Sequence, residues 1–167
     1  ENYLKASDFV LPVFISEEEE PSEVPSMPGV FRWPISNLCE QIKDWHQKGL
    51  KAFALFPKIC PELKNEGGNE ILNPNNLVCR AAAAIKQLDL DVVLIADLAL
   101  DPYTSHGQDG IVDSKGEVDN DSTVEILAKA SIVYANAGLD WVAPSDMMDG
   151  RIKIIREALE RNSFHNT

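Results

Sequence analysis

The sequence predicts an α/β fold built on a parallel sheet. Short apolar runs alternate with amphipathic helical stretches four times along the chain, the pattern of strands joined by helical crossovers. The clearest run, Asp91-Val92-Val93-Leu94-Ile95-Ala96-Asp97, is apolar at every inner position, as expected of a strand covered on both faces. Two closures satisfy the pattern: an open doubly wound sheet, or part of a (β/α) barrel. A full barrel of eight units takes about 250 residues. Four units in 167 residues therefore suit about half of one.

The elements follow in order. Phe9 to Ile15 is rich in β-branched and aromatic residues and reads as a buried strand, with Pro12 as its oddity. The acidic, Pro-containing stretch Glu17 to Pro28 reads as a loop, its run Glu17 to Glu20 as a solvated face. Ser36 suits an N-cap for a helix to about Lys48, with Leu38, Cys39, Ile42 and Trp45 at helical spacing and Gly49 as its stop. Ala52 to Phe56 is a short strand closed by Pro57, and Asn65 to Asn76 an irregular loop. A helix from about Asn76 to Leu88 lines Leu77, Ala81, Ala84, Ile85 and Leu88 on one face. After the third strand, Ile111 to Val118 reads as a small hairpin. Asp121 or Ser122 starts a helix ending at Gly138, and Ser122-x-x-Glu125 fits its capping box. Leu139 to Ala143 is the fourth strand, stopped by Pro144, and Asp149 suits the N-cap of a last helix to Arg161.

Charge narrows the function. Lys and Arg number 15 against 27 Asp and Glu, a net −12 and a pI near 4.6. That argues against binding a nucleic-acid backbone or an anionic membrane surface. No apolar run reaches membrane-spanning length. The cysteines Cys39, Cys60 and Cys79 are odd in number and form no C-x-x-C pair. They read as reduced thiols rather than a disulfide framework or a zinc knuckle. The first residue is Glu1 rather than Met, so the numbering is expected to start inside a longer or processed chain.

Both closures put active sites at the C-terminal ends of the strands. The third strand is followed by Asp97-Leu98-Ala99-Leu100-Asp101-Pro102-Tyr103-Thr104-Ser105-His106-Gly107-Gln108-Asp109-Gly110. In an extended chain, 97, 99 and 101 point the same way, and Asp109 returns through the Gly107 turn. Three carboxylates there suit a hard cation such as Mg²⁺; the alternative is that they merely cap the turn. The fourth strand leads into Ala143-Pro144-Ser145-Asp146-Met147-Met148-Asp149-Gly150-Arg151, with Ser145 and Asp146 placed to hold a substrate. His106 beside Ser105 is poor grounds for a hydrolase, because no G-x-S-x-G elbow is present. Neither a phosphate loop nor G-x-G-x-x-G occurs.

These two segments resemble the two signatures of the 5-aminolevulinate dehydratase (porphobilinogen synthase) family. Shorter matches fall in the family's order: Leu11-Pro12-Val13-Phe14, Met27-Pro28-Gly29, Leu55-Phe56-Pro57 and Asn120-Asp121-x-Thr123-Val124. Together they run from about Asn2 to the end. The resemblance implies a (β/α)8 TIM barrel, of which residues 1–167 are a single partial domain holding about the first four βα units. It implies condensation of two 5-aminolevulinate molecules to porphobilinogen with loss of two waters, in tetrapyrrole (haem) biosynthesis. Asp97 and Ser145 match active-site positions that hold or activate substrate. Zinc-using members carry cysteines at the positions of Ala99, Asp101 and Asp109. Here the resemblance implies the aspartate-rich branch, with Asp97, Asp101 and Asp109 serving Mg²⁺ or a monovalent cation and not zinc.

The family's two Schiff-base lysines lie on strands after the fourth and match no lysine here. The chain alone is therefore expected to be inactive, with the second half and the N-terminal arm outside it. A homo-octamer is implied, in a bacterial cytoplasm or a plastid. The alternative is a non-catalytic half-barrel serving assembly or binding, whose open sheet edges would seek a partner.

Overall fold

The computed structural model describes residues 3–167. Glu1 and Asn2, where the expected N-terminal arm would join, lie outside the described residues. The first strand is β1 (Val10–Ser16). A small excursion follows, β2 (Ser22–Glu23) and β3 (Phe31–Pro34), then α1 (Ile35–Gln47), β4 (Ala52–Lys58) and α2 (Leu77–Lys86). The chain continues through β5 (Val93–Asp97), the hairpin β6 (Ile111–Val112) and β7 (Val118–Asp119), α3 (Asn120–Asn136), β8 (Trp141–Ala143) and α4 (Arg151–Arg161).

The main sheet has the order β2-β3-β1-β4-β5-β8. Neighbours β1, β4, β5 and β8 are all parallel. They succeed one another in space as in sequence. A doubly wound sheet reverses strand order at a switch point; these four strands do not, and only the short β3 lies on the far side of β1, parallel to its last three residues. The helices likewise pack in sequence, α1 on α2, α2 on α3 and α3 on α4. That is the winding of a barrel wall, and the sheet is α/β and mainly parallel, as predicted.

Local chemistry explains the boundaries. Pro12 is tolerated inside β1 because β3 pairs only with Phe14, Ile15 and Ser16, leaving Pro12 unpaired on that side. The β2–β3 hairpin was not visible in the acidic loop. Within that loop, Glu17 pairs with Arg80 and Glu18 with Lys58 and Ser22, so its first two acids are tethered rather than merely solvated. Ser36 does not cap α1: β3 runs straight into the helix, and Pro34 takes the cap position. The helix buries Leu38 and Ile42, each worth about 1.5–3 kcal/mol. It is steered by Trp45, edge-on to Trp33 at 6.0 Å and stacked near Phe53 at 6.1 Å.

Buried Asn76 caps α2. Its Oδ1 accepts the Cys79 N–H at 3.0 Å and its Nδ2 donates to the Ile71 carbonyl at 3.1 Å, so no polar atom is stranded. The capping box at Ser122 is replaced by Asp119, which accepts the Ser122 N–H at 3.1 Å. The hairpin feeds the chain into α3 one turn early. Asp149 does not cap α4 either. Gly150, at φ +78°, holds that position with no side-chain cap. The Asp149 N–H instead donates to Asn120 Oδ1 at 2.7 Å, tying the loop to α3.

Strand β8 is fixed by Asp140. Lys86 Nζ donates to both its oxygens at 2.9 and 2.7 Å, and its Oδ2 also accepts the Leu94 N–H at 2.7 Å. One carboxylate therefore joins α2, β5 and β8. Among the described residues, no helix is long and apolar enough to cross a membrane. The cysteines are free, Cys79 buried and the other two half-buried.

Candidate active site at the strand ends

Both long segments singled out in the sequence start at the C-terminal ends of neighbouring strands. Asp97 and Ala143 are register partners across β5 and β8, and the Leu98 N–H donates to the Ala143 carbonyl at 3.1 Å. Ser145 thus emerges two residues beyond the partner of Asp97.

Asp97 is half-buried. Desolvation raises its pKa, the nearby Ser145 hydroxyl and Leu98 N–H pull it down, and the Asp146 charge raises it again. The upward influences win. A carboxyl with a raised pKa holds a proton more readily near neutrality than an ordinary one, which suits general acid–base work. Asp101 is raised too, first by desolvation, then by the charges of Asp97 and Asp109, against a weak opposing pull from Lys64.

Asp101 reaches this place by a different route from the one expected. The strand ends at Asp97, and Leu98, Ala99 and Leu100 are all buried. A turn then forms, with the Tyr103 and Thr104 N–H groups both donating to the Leu100 carbonyl, at 2.8 and 2.9 Å. Alternation along an extended chain is therefore not what relates 97 and 101, and the side chain of Ala99 is buried. The return through Gly107, at φ +75°, does occur. Thr104 Oγ1 donates to the Gln108 carbonyl at 2.8 Å, which sets half-buried Asp109 where its charge acts on Asp101 and Asp146.

His106 braces this loop. Its Nδ1 accepts the Gln108 N–H at 3.1 Å and its Nε2 lies 3.2 Å from the Glu66 carbonyl. One tautomer, with the proton on Nε2, satisfies both contacts, and Ser105 has no part in them.

The floor of the site was illegible in sequence. Tyr103 and Tyr134 are both buried, with their hydroxyls 2.8 Å apart. Burial pushes both phenols up, so they stay neutral and anchor the turn to α3. Tyr134 shows only as one more large residue on a helix; nothing in its spacing marks a hydroxyl partner. Asp146, which the sequence placed beside Ser145 to hold a substrate, is instead turned inward. It is 2% exposed, accepts the Met148 N–H at 2.7 Å, and sits 3.0 Å from Arg151 Nε.

As a cation site the donor set is all oxygen and mutually repelling, which is the chemistry of a hard, well-hydrated ion. Among the described residues, no three His, Cys, Asp or Glu side chains converge as a direct ligand group. Asp97 and Asp109 act on Asp101 by charge, without gathering round a common point. Cys79 is buried, with its thiol pushed up to about 11 mainly by desolvation, so it stays a neutral thiol.

The segments with this geometry also decide the family. A model of the delta-aminolevulinic acid dehydratase family matches residues 1–167. The chain belongs to that family. It is 42% identical to the delta-aminolevulinic acid dehydratase of Chlamydia pneumoniae, covering 100% of this chain and 50% of that protein. It is 43% identical to the chloroplastic enzyme of Oryza sativa, covering 99% and 39%. It superposes with TM-score 0.97 and 45% identity on the porphobilinogen synthase of Toxoplasma gondii, solved with the reaction product porphobilinogen, over 100% of this chain and 48% of that one. The chain spans about half the length of the relatives it matches, and its fold is that of the TIM barrel over this half.

Proposed function

We propose that this chain supplies the first half of the barrel of a porphobilinogen synthase, condensing two 5-aminolevulinate molecules to porphobilinogen with loss of two waters. The observation that carries the reading is the meeting of Asp97 and Ser145 at the ends of adjacent strands, in a chain matched by the family over its whole length. Asp97, with its raised pKa, holds and moves a proton. Ser145 orients the group that Asp97 serves. Loss of water needs a proton delivered to the departing oxygen, and a positioned carboxyl provides it.

Asp97, Asp101 and Asp109 hold the cation, Mg²⁺ or a monovalent ion and not zinc. When bound, it supplies positive charge that offsets the repelling carboxylates. The amine nucleophiles lie beyond this chain. Lys58, at the end of β4, is occupied by Glu18, and an ion-paired ammonium is a poor nucleophile. The chain alone is inactive, and the whole enzyme works as a homo-octamer in a bacterial cytoplasm or a plastid.

The test is porphobilinogen formation from 5-aminolevulinate by the complete protein. Mg²⁺ should stimulate it, and a zinc-selective chelator should leave it intact. Loss with the chelator and recovery with zinc would overturn the metal assignment. Full turnover by Asp97→Ala would overturn the role of Asp97. Borohydride trapping of substrate on residues 1–167 alone should fail.

A further inference from the structure

Ser145 is exposed, so its aim is set by the backbone on either side. On one side the Ala143 carbonyl is held by Leu98. On the other stands Asp146, whose side chain is wholly buried while that of Arg151 is 26% exposed. The Asp146 carboxylate faces two groups at once. Oδ1 accepts the Met148 N–H at 2.7 Å, and Oδ2 lies 3.0 Å from Arg151 Nε. Arg151 then closes the ring, its Nη1 donating to the Met148 carbonyl at 2.6 Å. The Oδ2–Nε contact has the distance of an ion pair but not hydrogen-bond alignment, so charge rather than direction holds it.

Arg151 is also the first residue of α4. A cation at a helix N-terminus opposes the helix dipole. No acid in that first turn relieves it, and Gly150 provides no cap. Local helix chemistry therefore gives no reason for an arginine there, whereas the buried carboxylate does.

We propose that Asp146 and Arg151 are positioning residues that clamp the 145–148 loop and thereby hold Ser145 against Asp97 for the reaction. The assignment rests on the proposed function for its kinetic consequence and on the geometry for the clamp itself. Asp146 contacts no reacting atom; it acts through Ser145.

A double-mutant cycle in the complete enzyme tests it. Asp146→Asn keeps the Met148 acceptor and removes the charge that holds Arg151. It should lower kcat by about 10- to 100-fold, the cost of a small misplacement, with KM much less affected. In a Ser145→Ala background the same change should cost roughly twofold or less. An equal loss in both backgrounds would make the pair merely structural and overturn the assignment. Arg151→Gln carries the same cycle if Asp146→Asn does not fold, and failure of both to fold would also overturn it. If the wild-type protein forms no porphobilinogen, the functional reading fails, and amide exchange still judges the clamp. Asp146→Ala should speed exchange at Met148 by about tenfold while β5 amides keep their protection. Unchanged exchange at Met148 would refute the clamp.

Discussion

Replacing Gly110 by alanine should loosen both loops of the site from one position. An alanine Cβ there would lie 2.6 Å from Val118 Cγ1, 2.9 Å from Thr123 Oγ1 and 3.0 Å from Met148 Cε. The three neighbours differ in what they can give up. Met148 Cε is the tip of a flexible side chain and moves cheaply. Val118 is 41% exposed and can turn outward. Thr123 is wholly buried. Its hydroxyl donates to the Asp119 carbonyl at 2.6 Å and accepts the Ile111 N–H at 2.9 Å, so it cannot yield without breaking the junction of hairpin and helix.

Overpacking of this kind costs about 1–3 kcal/mol, and the loss of one of the Thr123 bonds about 1 kcal/mol more. Against this, alanine restricts the unfolded chain, a gain of about 0.4–1 kcal/mol. The net is about 1–4 kcal/mol of destabilisation, or roughly 2–4 °C in Tm per kcal/mol for a chain this size. Urea unfolding followed by tryptophan fluorescence measures it. Because Asp109 and Met148 flank the collision, cation stimulation of the complete enzyme should weaken as well. A Gly110→Ala variant within about 0.5 kcal/mol of wild type would refute the reasoning, since it would mean that the buried Thr123 had moved freely.

Other outcomes follow from the same geometry. Tyr134→Phe should cost about 1–2 kcal/mol, because it strands the buried Tyr103 hydroxyl; the double Tyr103→Phe/Tyr134→Phe variant should recover part of that in urea titration. Cys79, buried with its thiol pushed up to about 11, should resist alkylation at mild alkaline pH in the native protein and react only on unfolding, as read by mass spectrometry. For Asp101 the folded pKa is raised, so the folded state retains a proton that the unfolded chain releases. Such a group leaves stability intact below the ordinary carboxylate range of about 4 and withdraws it as pH rises through the folded value. Asp101→Asn in cation-free buffer should therefore stabilise the protein at neutral pH, with the gain vanishing toward about pH 4; a gain that grew on acidification would contradict the shift.

Most of the barrel wall was legible in the sequence, because the features that encode it are local. Runs such as Val92 to Ala96 declare a strand buried on both faces, and Leu38 and Ile42 declare one face of a helix. The β2–β3 hairpin was not legible, since its pairing depends on β1 offering only Phe14, Ile15 and Ser16 as partners. Helix starts at Ser36, Ser122 and Asp149 were misjudged for one reason. Capping preference is a local tendency, and here strands and loops enter the helices at points fixed by their own tertiary bonds.

The sequence by itself determined the class of fold, the order of its elements, the two segments at the strand ends and the family resemblance they bear. These are properties of residue type and spacing. Only the tertiary structure decided that Asp97 and Ser145 stand at the ends of neighbouring strands, that Asp101 arrives by a turn, and that Asp146 is buried against Arg151. The reason is physical. Burial, charge coupling and hydrogen-bond partnership depend on distance through space, and residues 97, 109, 134 and 146 are neighbours only after the strands have paired.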